Sequence, residues 1–287
     1  MLGLSNNLSR SRANDKSAIP RVASNIIGWW DFTDKNQVFT DIEGTTHPTD
    51  GDDIERVNNL AFTLDAFRDN KKSCLGHYLA QHDDAARKPH WDETNKCVDF
   101  TGGSVLYSDP SNGPIDTNKL TISSVDMDAV TIFAVLKPDS ASVSSDERII
   151  ELNDSSGNLI SLRLESDDNH FELYTYNGPG RAANTNDTTQ DSTTNKQLWT
   201  LELDSTSACS AYRDGNTSNG ITNAASYSNT MDLTANNSLN KFVVGATTSA
   251  LFGFNGKFYE ILVFNEAMSD TEISLVESYL KNKHNIS

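Results

Sequence analysis

The sequence predicts an all-β antiparallel sandwich closed by one C-terminal helix. Short apolar segments recur at roughly 10-residue spacing through the middle of the chain, separated by polar turn signals. A stretch with helical periodicity and its own cap follows them near the end. Composition agrees. Hydrophobic residues make up only 36% of 287, and Ser, Thr, Asn and Asp fill the turns. The 4 Trp, 8 Tyr and 12 Phe nevertheless sit in apolar runs, so a core can form.

Taken in order, Met1–Ser24 is polar and aperiodic and is predicted to be an extended arm, leaving residues 25–287 for the sandwich. Asn25–Phe32 is the first strand. Gly44–Asp53 is a loop by its Gly, Pro and Asp content. Ile54–Phe67 has helix-like apolar spacing broken by Asn58-Asn59, and is expected to be irregular or a short helix. Cys74–Ala80, Lys96–Phe100, Val105–Tyr107 and Leu120–Val125 are short strands. Ala129–Lys137 is the strongest strand and stops at Pro138. Arg148–Leu152, Leu159–Glu165, Phe171–Tyr176, Leu198–Asp204 and Ala208–Arg213 follow, with Ser156-Gly157-Asn158 and Asp214-Gly215-Asn216 as turns. Asn184–Asn195 and much of Gly215–Asn229 are expected to be polar loop. Phe242–Gly245 and Lys257–Phe264 are the last strands. Ser269 with Glu272 forms a capping box for a helix whose apolar face is Ile273, Val276, Tyr279 and Leu280. Lys281, Lys283 and His284 suit its C-terminal dipole.

Net charge is −17. Such a surface repels nucleic-acid phosphates and anionic membranes, so neither is an expected partner. The charge is split. Arg10, Arg12, Lys16 and Arg21 stand against Asp15 alone, giving the arm +3 and leaving −20 for the rest. A basic arm on an acidic body suggests docking to an acidic partner surface. Cys74, Cys97 and Cys209, an odd set without CxxC spacing, fit neither a disulfide framework nor a zinc site. They suit folding in a reducing cytosol. No apolar run is long enough to cross a membrane, and Met1–Ser5 does not open a secretory signal.

Trp29-Trp30-Asp31-Phe32, a polar insert, and Val98-Asp99-Phe100-Thr101-Gly102 resemble the entry to concanavalin A-like/laminin-G-like jelly rolls. Val130–Lys137 resembles the middle strand of that family. Leu198-Trp199-Thr200 with Tyr212-Arg213-Asp214-Gly215 resembles its hairpin, and Gly256–Asn265 with the capped helix its ending. The opening Met1-Leu-Gly-Leu-Ser-Asn-Asn7 is similar to virion structural proteins of tailed phages of marine bacteria. The resemblance implies a non-enzymatic virion protein, made in the host cytoplasm and docked to capsid or tail proteins by Arg10, Arg12, Lys16 and Arg21. It would decorate the particle with a lectin-like sandwich. The alternatives are a carbohydrate-binding adhesin module for host glycans, and a glycoside hydrolase. Whether copies associate into a homo-oligomer is left open.

Glycan-cutting relatives carry a strand motif of alternating carboxylates, which sets a catalytic pair ~5 Å apart. The nearest approaches here, Glu165-Ser166-Asp167-Asp168 and Glu147–Glu151, lack that pattern, so no catalytic residue is expected. The histidines do not cluster at metal spacing and are expected in loops or at the surface. Tyr174 and Tyr176 share a strand face beside the Asn177–Gly180 turn and Arg181, and these three are the glycan-binding candidates. No cofactor is expected except calcium. Laminin-G-like relatives bind it at the rim, where Asp167, Asp168, Asp187 and Asp232 are the candidates. Trp29, Trp30 and Trp199 are expected in the core.

Overall fold

Ile26–Asp31 is buried along its whole length. That requires cover on both faces and places this strand inside a layered structure. The computed structural model describes residues 25–63, 75–81, 84–108, 126–127, 129–153, 159–166, 170–176, 194–204, 208–215, 221–226, 231–232, 242–247 and 251–287. Its strands are β1 (Ile26–Asp31), β2 (Val38–Phe39), β3 (Arg56–Asn58), β4 (Tyr78–Ala80), β5 (His90–Asp92) and β6 (Cys97–Phe100). Next come β7 (Leu106–Ser108), β8 (Asp126–Met127), β9 (Ala129–Pro138), β10 (Glu147–Asn153), β11 (Leu159–Leu164) and β12 (Phe171–Tyr176). The last are β13 (Gln197–Asp204), β14 (Ala208–Arg213), β15 (Ile221–Ser226), β16 (Met231–Asp232), β17 (Phe242–Val244) and β18 (Gly256–Phe264), before helix α1 (Asp270–His284).

The strands form two antiparallel sheets. The first runs β15-β14-β13-β9-β18-β6-β5, with β1 also paired to β18. The second runs β12-β11-β10-β17-β7-β4-β3-β2. β8 and β16 make a separate two-stranded ribbon. The large core lies between the sheets. Leu106, Val244, Ile150, Leu162 and Leu173 form one register line across the second sheet. Trp30, Trp199, Ile132, Ala134 and Ile261 face them from the first. The Trp30 ring stacks on Phe242 at 5.0 Å. Gly28 makes room for that indole, because a Cβ there would meet it at 2.4 Å.

The first sheet is covered on its other face as well. Trp29, Phe133, Val135, Leu198 and Leu262 pack beneath Ile273, Val276 and Leu280 of α1. This explains why β9 is apolar at nearly every position: it is buried on both sides. The helix starts with the predicted capping box, and Asn285 closes it in the left-handed region at φ 55°. Three layers result, helix, sheet and sheet, and the outer face of the second sheet has no helix upon it among the described residues.

Several sequence expectations are corrected. The segment from Ile54 holds the expected short helix, a 3-10 helix at Leu60–Thr63, but its first part is a strand, β3, which was not expected. Buried Asn59 divides them. Its side chain accepts from Trp29 N at 2.9 Å and Ala61 N at 3.0 Å, and donates to Gly76 O at 2.8 Å. Ile221–Ser226, read as loop, is an edge strand held by pairing with β14. His284 is buried on α1, against the expectation, whereas His90 lies on β5 with its side chain 42% exposed, at the surface as expected. Cys97 and Cys209 are buried, and burial pushes the Cys97 thiol up to about 12. Cys74, Leu120–Val125 and Met1–Ser24 lie outside the described residues.

Candidate functional site

The first sheet is enclosed, and the outer face of β10, β11 and β12 carries a cluster of polar and charged residues that are themselves largely buried: Ser161 is 1% exposed, Arg163 8% and Glu172 0%. Period-2 alternation builds this face. Ile160, Leu162, Leu164, Phe171 and Leu173 enter the core, so Ser161, Arg163, Glu172 and Tyr174 point outward. A β-bulge between Arg148 and Ile150 lets Ile149 and Ile150 both reach the core while Arg148 stays on the outside. Arg148 pairs in register with Arg163, and Arg163 with Glu172. The next line is Tyr107, Val243, Glu151, Ser161 and Tyr174.

Arg163 organises the face. It donates through Nε to Glu172, through Nη1 to Asp146 at 3.0 Å and through Nη2 to Glu165 at 3.2 Å. The guanidinium carbons of Arg148 and Arg163 lie 4.8 and 5.0 Å from the centre of the Tyr174 ring. Such cation–ring contacts fix the side chains, though two like charges share one ring. Burial pushes the Glu172 carboxyl above the usual range, against the pull of Arg163. Glu172 is 0% exposed, and its Oε1 has no hydrogen-bond partner. Nε and Nη1 of Arg148 are likewise buried without a partner.

A second polar cluster lies under α1. Glu260 is 0% exposed. It accepts from Trp29 Nε1 at 2.7 Å and Lys283 Nζ at 2.6 Å, with His284 Nε2 also at 2.6 Å. Lys283 also reaches Asp31 at 2.6 Å. Burial works against the Lys283 ammonium, but Glu260 and Asp31 hold it above the ordinary lysine value. This group ties the helix to the sheet and is closed to a ligand. At the rim, Lys257 sits 2.6 Å from Asp99 and 3.6 Å from both Asp92 and Asp139, supplying their cation internally.

Of the predicted site residues, Tyr174 is on the candidate face, where its ring supports two guanidiniums. Tyr176 is placed two residues on, opposite Leu159. Asp232 pairs with Asp126 in the ribbon. Arg10, Arg12, Lys16, Arg21, Arg181, Asp167, Asp168 and Asp187 lie outside the described residues. Among the described residues, no group of three or more His, Cys, Asp or Glu is placed to hold a metal ion. Sequence reasoning missed Arg148, Arg163 and Glu172. The signal was present as charged residues at the outward positions of otherwise apolar strands.

A family model described as the concanavalin A-like lectin/glucanases superfamily matches residues 110–274. No curated protein sequence matches the chain. Among solved structures, Trypanosoma rangeli sialidase in complex with sialic acid superimposes with a TM-score of 0.50 at 11% identity. The match covers 88% of this chain and 33% of that one, so the chain spans about a third of the sialidase's length. The Ruminococcus gnavus IT-sialidase CBM40 bound to α2,3 sialyllactose aligns with a TM-score of 0.40 at 13% identity, over 53% of this chain and 83% of that one. At such identities the sialidase likeness is one of fold. Together with the family match, the two-sheet topology leads to one assignment: the chain belongs to the concanavalin A-like lectin/glucanases superfamily.

Proposed function

We propose that the protein is a non-catalytic carbohydrate-binding module, and that the outer face of β10–β12 takes a neutral glycan. The observation that carries this is the line Arg148–Arg163–Glu172, which ends in unpartnered donors on one side and an unpartnered acceptor on the other. Leaving a buried polar atom unmatched costs about 1–3 kcal/mol, so such groups call for an explanation. A sugar supplies it. Each hydroxyl both donates and accepts, so adjacent hydroxyls match a guanidinium and a carboxylate together. The ends of the line are about 10 Å apart, two strand spacings, which leaves room for a pyranose ring. An acidic glycan is disfavoured by the −17 net charge and by the carboxylates around Arg163. Those carboxylates are held by Arg163 as positioning groups, which supports binding without turnover. The reading requires no metal.

Arg148→Ala removes the donors and leaves Arg163 to hold the face. Affinity for a neutral oligosaccharide identified on a glycan array is expected to fall about 10–100-fold by calorimetry, as for the loss of a charged hydrogen bond. Binding should persist in a chelator. A flat array, or unchanged affinity in Arg148→Ala, sinks the reading.

The split of +3 on residues 1–24 against −20 on the rest supports a second, compatible reading, a virion structural protein docked by the arm. Deleting residues 1–24 should then abolish association with particles while leaving the melting temperature unchanged. Retained association would contradict it.

A further inference from the structure

We infer that Phe252 is a second sugar contact, a stacking platform at the edge of the same face, so that the site is built for an oligosaccharide rather than a single ring. This rests on the glycan reading above. Leu251 and Phe252 are 57% and 50% exposed, the exposed large hydrophobics among the described residues. An exposed aliphatic residue alone would need no explanation. Phe252 is different because its backbone is held in the left-handed region at φ 55°, which an aromatic residue rarely adopts. Strain of that kind persists only where the surroundings enforce it, and it gathers at ligand contacts.

The surroundings do enforce it. The Thr247 hydroxyl donates to Leu251 O and accepts from Leu251 N, both at 3.1 Å, and Thr247 N donates to Leu251 O at 3.0 Å. Phe252 O accepts from Arg148 N at 2.7 Å, and Gly253 bridges Arg148 in parallel register. Gly253 cannot be replaced, since a Cβ would meet the Gly103 backbone at 2.3 Å. The chain is therefore pinned on both sides of Phe252. Phe252 is half exposed, and its own carbonyl is bonded to the amide of the arginine whose side-chain donors are unpartnered. A flat apolar ring beside directed polar groups suits the apolar face of a pyranose next to the one that hydrogen-bonds.

The test compares wild type, Phe252→Gly and Arg148→Ala against neutral trisaccharides of the glucan, mannan and N-acetylglucosamine series and against the corresponding monosaccharides. Glycine adopts the left-handed backbone freely, so Phe252→Gly should melt no lower than wild type. Its affinity for the trisaccharide should fall roughly tenfold, with monosaccharide affinity unchanged. Unchanged trisaccharide affinity in Phe252→Gly, with Arg148→Ala still impaired, overturns this inference alone and marks the exposed pair as a contact for something else. No binding by wild type, or full binding by Arg148→Ala, overturns the glycan reading and this inference with it.

Discussion

Glu260→Ala is expected to destabilise the protein by about 3–5 kcal/mol, the usual cost of removing one partner from a buried ion pair. The residue lies in the middle of β18 on the helix-facing side, and the ammonium of Lys283 has come out of water to meet it. Without Glu260, Lys283 keeps Asp31, but Trp29 Nε1 and His284 lose their partner. At about 2–4 °C per kcal/mol for a chain of this size, melting should drop by roughly 10 °C. Urea unfolding checks this, and a loss below ~1 kcal/mol would show that the cluster does not hold the helix. Adding Lys283→Met should restore part of the loss, because the two changes remove one interaction. The pH dependence has a defined sign. Burial would raise the Asp31 carboxyl, but Lys283 and Thr33 hold it below the ordinary value. Its contribution is therefore present above ~4 and lost as pH falls through the lower folded value.

Arg163→Ala is the second large effect, about 3 kcal/mol or more, because Glu172 would remain buried without its cation. The sign with pH is opposite to that of Asp31. Burial already raises Glu172, and loss of Arg163 raises it further. A carboxyl whose folded pKa exceeds its unfolded value takes up its proton first in the folded state. The variant should thus regain stability as pH falls from neutral towards ~4 and lose it as pH rises. Equal losses at pH 5 and pH 8 would contradict the role given to Glu172. Arg163→Ala should also abolish glycan binding. Arg148→Ala, in contrast, should bind poorly while staying close to wild-type stability.

Much of the fold was legible because it rests on local patterns. Ser269 and Glu272 announced the helix, and the apolar run Ala129–Lys137 announced the strongest strand. Elements set by tertiary contacts were not legible. The strand character of Ile221–Ser226 comes from pairing with β14. The break after Asn58 comes from an Asn59 side chain bonded to three separate segments. The site was half legible. The alternation in Leu159–Leu164 and Phe171–Tyr174 marked Arg163 and Glu172 as outward. Only the pairing of β10, β11 and β12 brings Arg148 into line with them, and the bulge at Ile149 shifts the apparent period. Tyr174 was singled out for its ring, but on the folded face that ring steadies two guanidiniums. Lys283 and His284 suited the helix dipole equally well, and nothing local pointed to Glu260.

The most direct test of the central claim is an amide NMR titration of the wild-type protein with its best neutral trisaccharide. Saturable shifts confined to β10, β11, β12 and the Leu251–Gly253 edge, and absent from Arg148→Ala, are the predicted result. Shifts centred on α1 or the β8–β16 ribbon, or none at saturating sugar, would contradict it.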